Sequence, residues 1–300
     1  MSTAKWAAGL LIVMGSTCAN AAVNLTPAGD GHDTVPVYVD GHGPYPFILD
    51  SGADGTAVYQ WFAARERLAR AGANPQELSG QTGATQVMMY GVNDLALDGR
   101  HLRHVTAFAL PNRHDAGNEA GVLGNDFMDG TLVVYDFPCH RVTVHVKPVD
   151  PAAIVRGGAP PIRAGIDKGT TLLTLPVTVN GFTGVAVLDT GSRETRLTPA
   201  FARAAGIDAS SAEFHDGEPI YGANSRRMIP RNGPIGTVRF GGVAIHGAQA
   251  QVIDLPVLEE DFGGKPAMLL GTDLLGRYRV IYDHEARNVW IRSSTCAAAP

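Results

Sequence analysis

The sequence predicts a mainly β chain built as two homologous halves with a few short helices. Three observations predict it. Two apolar strands end in the same kind of acidic turn, Phe47-Ile48-Leu49-Asp50-Ser51-Gly52-Ala53 and Ala186-Val187-Leu188-Asp189-Thr190-Gly191-Ser192. Ahead of each lies a matching alternating run, Pro36-Val37-Tyr38-Val39-Asp40-Gly41 and Pro176-Val177-Thr178-Val179-Asn180-Gly181. Behind each come further landmarks in the same order: Gly83-Ala84-Thr85 and Gly222-Ala223-Asn224, Leu123-Gly124-Asn125-Asp126 and Leu270-Gly271-Thr272-Asp273, and Tyr135-Asp136 and Tyr282-Asp283. The spacing between halves grows by eight residues after Asn224, which fits a loop insertion in the second half.

The N-terminus has the pattern of a secretory signal over residues 1–21: Lys5 is the positive end, Trp6 to Met14 the apolar stretch and Ala19-Asn20-Ala21 the cleavage site. The apolar run is too short for a spanning helix, so no stable membrane span is expected after signal removal, and the mature chain is expected to begin at Ala22 in a secreted, periplasmic setting. Cys18 lacks the preceding residues that lipid modification prefers. In that oxidising setting Cys139 and Cys296 are candidates for one disulfide, with two unpaired thiols as the alternative.

Each half then opens with a hairpin, because Asp-Gly and Asn-Gly tolerate the positive φ that a two-residue turn needs. The second strand of each hairpin delivers the aspartate. Helix formers group over Thr56 to Gly72, and Thr198-Pro199 offers an N-cap followed by proline at the first helical position. Lys147 to Gly169 holds four prolines and four glycines and reads as an extended connector. The expected organisation is therefore a signal over 1–21, a first lobe over 22–148, a linker over 149–168 and a second lobe over 169–300.

With 300 residues, 45% of them hydrophobic, the chain can bury two cores, and its net charge of −5 gives no case for nucleic-acid binding. His101 and His104 stand in His-Leu-Arg-His without a metal-binding helix pattern and are expected on a polar surface turn, so no metal is expected. No G-x-S-x-G elbow, P-loop or dinucleotide fingerprint is present.

An aspartate followed by a hydroxyl residue and glycine suits a tight turn in which the hydroxyl ties down the backbone and glycine admits a close neighbour. Two copies in comparable halves suggest two carboxylates face to face across a pseudo-two-fold axis. Such a pair about 3 Å apart repels by roughly 5 kcal/mol at an effective dielectric near 20, so one proton is held between them. Asp54, four residues after Asp50, is expected in a solvent or salt-bridge role.

At these residues the chain resembles the retropepsin-like aspartic peptidases, and more closely the secreted bacterial members that fuse two such units. Leu49-Asp50-Ser51-Gly52-Ala53-Asp54 is similar to the retroviral-type active-site turn, and Leu188-Asp189-Thr190-Gly191-Ser192 to the pepsin-type turn. The resemblance implies an acid protease fold, two retropepsin-like β-barrel lobes with a cleft between them. It also implies an aspartic endopeptidase acting as a monomer on an extended polypeptide without a cofactor. Asp50 and Asp189 would then be catalytic, with Ser51, Gly52, Ala53, Thr190, Gly191 and Ser192 supporting their turns. The apolar-apolar-glycine elements ending at Gly124 and Gly271 would pack behind those turns.

Gln81 to Gln86 and Ile220 to Ser225 lie at equivalent positions after the two aspartates and are candidate flaps, with Gly83, Tyr221 and Gly222 over the substrate; surface hairpins are the plainer alternative. Ser51 departs from the commoner threonine, and Ala22 to Asp33 is too short for an inhibitory prosegment. Ala53 has no hydroxyl to offer an ionised carboxylate whereas Ser192 has one, which implies a less acidic pH optimum than that of a gastric-type enzyme. The rival expectations are a non-catalytic periplasmic peptide-binding protein using the same cleft and an envelope scaffold, the latter leaving the duplicated acidic turns unexplained.

Overall fold

A computed structural model describes residues 22–113, 117–155, 160–166, 170–222, 224 and 226–296. The expected signal over residues 1–21 lies outside them. Two closed six-stranded barrels form, one per half, giving a two-lobed acid-protease-like fold. The first barrel runs Asp33–Val39, His42–Leu49, Gly121–Leu123, Ala57–Tyr59, Arg100–Leu110 and Met89–Leu97, and closes through Tyr38 opposite Ala96. In the second, the order is Leu173–Val179, Phe182–Leu188, Ala267–Leu270, Arg196–Leu197, Val243–Val252 and Arg231–Phe240, closing through Val177 opposite Phe240.

Period-2 burial explains why these segments are strands. Val35, Val37 and Val39 face the first core and Leu175, Val177 and Val179 the second. The turns follow local chemistry: Asp40 and Gly41 have φ of 50° and 81°, and Asn180 and Gly181 have φ of 49° and 90°. Thr198 caps the helix Pro199–Ala204, its hydroxyl accepting from Phe201 N at 3.2 Å.

A third sheet joins the halves. Its six strands run Val23–Asn24, Arg141–Val146, Thr131–Asp136, Arg279–Asp283, Asn288–Arg292 and Ile162–Arg163, with Tyr135 opposite Val280 and Val133 opposite Tyr282 at its centre. The Cys139–Cys296 disulfide ties the C-terminal end of the described chain beside this sheet.

Four elements differ from the sequence expectation. The helix expected over Thr56 to Gly72 shrinks to Gln60–Arg65, because Ala57–Tyr59 is drawn into the barrel between Phe108–Leu110 and Gly121–Val122. The connector is not extended throughout: Pro151–Val155 is helical and Ile162–Arg163 joins the shared sheet, while residues 156–159 and 167–169 lie outside the described residues. His101 and His104 stand exposed on the strand Arg100–Leu110 instead of in a turn, His101 pairing with Asp94 at 2.9 Å. The extra length of the second half is also split. Ala109 pairs with Val58 as Val252 pairs with Leu197, so part of the growth precedes this strand and part follows it, where the helix Pro256–Asp261 lies.

Candidate active site

The two acidic turns meet between the barrels above the shared sheet. Each is held by a strand that pairs on one side with the landmark strand of its own half, Leu49 beside Leu123 and Leu188 beside Leu270. The hydroxyls of Ser51 and Thr190 do not brace their own turns. They cross: Ser51 N donates to Thr190 Oγ1 at 3.0 Å and Thr190 N to Ser51 Oγ at 3.1 Å. Each hydroxyl then donates to the opposite strand, Ser51 Oγ to Leu188 O at 2.7 Å and Thr190 Oγ1 to Leu49 O at 2.8 Å. All these groups are buried, so the crossing locks one half onto the other.

The glycines bring the carboxyls together. A Cβ on Gly52 would lie 2.5 Å from Asp189 Cγ, and one on Gly191 would lie closer still to Asp50 Cγ. Gly52 N donates to Asp50 Oδ1 at 2.7 Å and Gly191 N to Asp189 Oδ1 at 3.1 Å. The two carboxyls are close enough to act on each other's ionisation. Burial, and after it the neighbouring Asp189 charge, pushes the Asp50 carboxyl well above the usual range. Burial also raises Asp189, opposed chiefly by the Arg196 guanidinium. The pair therefore titrates as a unit.

Supporting groups repeat across the pseudo-two-fold axis. Asp126 accepts from Thr56 N at 3.0 Å and Thr56 Oγ1 at 2.8 Å, and Asp273 accepts from Thr195 N at 3.0 Å and Thr195 Oγ1 at 2.6 Å. Burial raises both carboxyls, Asp273 to about 6. Asn125 N donates to Ala53 O and Thr272 N to Ser192 O, each at 2.8 Å, while their side chains diverge, Asn125 Nδ2 donating to Ser51 O at 3.3 Å and Thr272 Oγ1 to Ser192 O at 3.2 Å. From the shared sheet, Tyr282 Oη donates to Asn125 Oδ1 at 2.8 Å and Tyr135 Oη to Leu49 O at 3.4 Å. Gly124 and Gly271 pack against the turns so closely that a Cβ would lie 2.9 Å from Ala53 O and 2.9 Å from Ser192 O, respectively.

A cavity of about 620 Å³ opens over the carboxyls. Its roof is the hairpin Gln76–Gly80 with Gly83–Val87 from the first half and the shorter hairpin Ile220–Tyr221 with Arg227–Met228 from the second. Their tips touch: Thr82 Oγ1 donates to Asn224 Oδ1 at 2.5 Å and Asn224 Nδ2 to Thr82 O at 2.8 Å. Gly222 abuts Thr82, Tyr221 lines the cavity, and Gly83 faces Asn224, where a Cβ would lie 3.1 Å from Nδ2. Ala223 and Ser225, within the second candidate flap, lie outside the described residues.

One side chain departs from expectation. The Ser192 hydroxyl is not on the carboxylate; it donates to Glu194 O at 2.9 Å and accepts from Arg196 Nη1 at 2.8 Å, because Arg196 reaches back from the next strand. The contrast between Ala53 and Ser192 thus supplies no hydroxyl difference at the dyad. Asp54 is exposed at the cavity rim, where among the described residues it accepts from Thr171 N at 2.6 Å and from the Thr171 hydroxyl.

The sequence expectation also missed a cluster at the mouth of the cavity. Among the described residues, Asp30, His32 and Glu119 form the one group with ligand atoms close enough for a metal ion. Glu119 is fully buried, with neither carboxylate oxygen hydrogen-bonded, and burial raises it to about 7. Arg113 already supplies a cation there, bonded to Asp30 and 3.7 Å from Glu119, so the group is best described as an ion-pair cluster. Arg196 and Gln251 were missed as well, and Gln81 was expected only as the start of a candidate flap, although the repeat itself points to Arg196, since the offset that pairs Asp50 with Asp189 pairs Ala57 with Arg196.

Removing one crossed hydroxyl tests the lock. Thr190→Val keeps the side-chain shape but leaves Ser51 N without its acceptor, a loss of about 2–3 kcal/mol for a buried unsatisfied donor. Urea unfolding should show a lower midpoint with an unchanged slope; a midpoint equal to that of the natural protein would mean the crossing contributes nothing.

Two barrels, one duplicated pair of acidic turns and a roofed cleft define an acid-protease-type protein. Residues 35–127 and 175–274 each match the family model described as Aspartyl protease, together more than half of the chain, and the chain belongs to the aspartyl protease family. No curated protein matches the sequence. Among the described residues no helix is long and apolar enough to cross a membrane.

Proposed function

We propose that the protein is an endopeptidase of the fused, two-repeat retropepsin-like type, in which one chain supplies both Asp50 and Asp189. A water molecule held between the carboxyls is activated by the ionised member while the protonated member polarises the scissile carbonyl, so neither an acyl-enzyme nor a metal is needed. The observation that carries this reading is the mutual fit of the turns: each glycine leaves room for the opposite carboxyl and for nothing larger. The hairpins over the cavity suit an extended peptide gripped through its backbone.

Export by the signal pattern over residues 1–21, a periplasmic location and a monomeric state belong to the same proposal, as does the division into lobes over 22–148 and 169–300. A peptide-binding protein without hydrolysis is the rival, and it leaves the buried, proton-sharing pair without a task.

Inhibitor class tests the mechanism. A statine-type peptide, whose hydroxyl takes the place of the attacking water, should abolish peptide cleavage, whereas chelators and serine-directed reagents should leave it intact. Loss of cleavage on chelation, with indifference to statine, would contradict it.

A further inference from the structure

The pseudo-symmetry fails at one position inside the cleft. Ala57 in the first half pairs with Phe108 and Val122 on the flanking strands; its counterpart Arg196 pairs with Gln251 and Leu269. A methyl group on one side is thus a guanidinium on the other. Arg196 is 8% exposed, and three of its five N–H donors are committed: Nε to Gln251 Oε1 at 2.8 Å, and Nη1 to Ser192 Oγ at 2.8 Å and Gln81 Oε1 at 2.7 Å. Gln81 and Thr82 form the turn of the hairpin Gln76–Val87. The Thr82–Asn224 contact joins the two tips to each other; the Arg196–Gln81 contact joins a tip to the floor of the cleft.

All three acceptors of Arg196 are neutral. The charged groups around it are Asp189, Glu194 and Asp273, with Arg193 opposing and Asp50 behind Asp189. A buried cation without a hydrogen-bonded counterion is favourable only if a negative charge lies close by. Two of these charges vary with pH, that of the Asp50–Asp189 pair and that of Asp273, which burial raises to about 6; the pair is the one that borders the cavity.

We propose that Arg196 is a positioning residue that holds the tip of the Gln76–Val87 hairpin down over the cleft and favours the singly ionised form of the Asp50–Asp189 pair. One guanidinium then serves both roof closure and dyad charge. This rests on the two aspartates being the reacting pair. Losing the Gln81 acceptor frees the hairpin tip but leaves the guanidinium held by Ser192 and Gln251, so the pair keeps its cation, whereas losing the guanidinium removes both effects.

Three variants separate the arms. Gln81→Ala should speed amide hydrogen exchange in residues 76–87 by roughly tenfold, the loss of one hydrogen bond to a charged group, and leave the pH limbs of kcat/KM in place. Arg196→Met should do both: raise hairpin exchange and move both limbs upward by about one pH unit, since removing a nearby cation raises carboxyl pKa values. Arg196→Lys keeps the charge without the three-way reach, so it should return the limbs toward their natural place while exchange stays fast. Unchanged hairpin exchange in Gln81→Ala, or unmoved limbs in Arg196→Met, would overturn the proposal. If the natural protein cleaves no peptide, the peptidase reading fails separately. Hairpin exchange and the titration of the Asp189 carboxyl carbon by NMR, in the natural protein and the same variants, still judge both arms.

Discussion

Asp50→Asn and Asp189→Asn are each expected to lower kcat/KM for peptide hydrolysis by about 10³-fold, the scale of a lost general acid or base. An amide keeps the size of the carboxyl and still accepts from the glycine N–H that binds it, so the turn should persist. It cannot hold the proton that the pair shares. Because burial raises the Asp50 pKa in the folded protein, the natural carboxyl costs stability that grows as pH rises above its unfolded value near 4. Asp50→Asn removes that cost, so thermal unfolding at pH 7 should occur at a higher temperature than in the natural protein, with the difference shrinking toward pH 4. A single variant that retained most of the activity would show that the two carboxyls do not act as a pair.

Gly52→Ala and Gly191→Ala should be nearly as damaging with no change in charge. Neither glycine has a positive φ, so backbone strain is not the cause. The cause is the opposite carboxyl: an added methyl on Gly52 would sit 2.5 Å from Asp189 Cγ, where non-bonded carbons need about 3.5 Å or more. One carboxyl must move by about 1 Å, a displacement that costs on the order of 10²-fold in rate. Both residues border the open cleft, so the folded state should survive. Steady-state kinetics beside circular dichroism would check this; wild-type kcat in Gly191→Ala would mean the turns are not packed as described.

What the sequence makes legible here is local chemistry and repetition. Asp40-Gly41, Asn180-Gly181 and Thr198-Pro199 each satisfy a backbone requirement within a few residues, so their residue types announce the turn or cap. The acidic turns and the landmarks after them are readable because each occurs twice. Contacts between distant segments are not readable in this way. The shared sheet pairs Tyr135 with Val280, and no local pattern selects that partner. Ala57–Tyr59 has helix formers on its C-terminal side but is claimed as a strand by two flanking strands. Ser192 was expected to serve its neighbour Asp189, yet the long side chain of Arg196 turns its hydroxyl elsewhere. In the cluster of Asp30, His32, Arg113 and Glu119 only the Asp30–His32 contact is local; Arg113 and Glu119 reach it through tertiary packing.

Ser51 also shows why residue type and role are separable. A hydroxyl after the aspartate suggests support of its own turn, whereas the bonds formed are to Leu188 and Thr190 of the other half. The function inferred for the turn survives, because the crossed bonds fix the separation of the two carboxyls more directly than local bracing would.

Cleavage of a diverse peptide mixture, mapped by mass spectrometry for the natural protein and Asp50→Asn side by side, tests the dyad most directly. Hydrolysis by a water held between Asp50 and Asp189 predicts internal cuts by the natural protein, blocked by a statine-type peptide and absent from Asp50→Asn. An intact mixture, or the same cuts from both proteins, would contradict it.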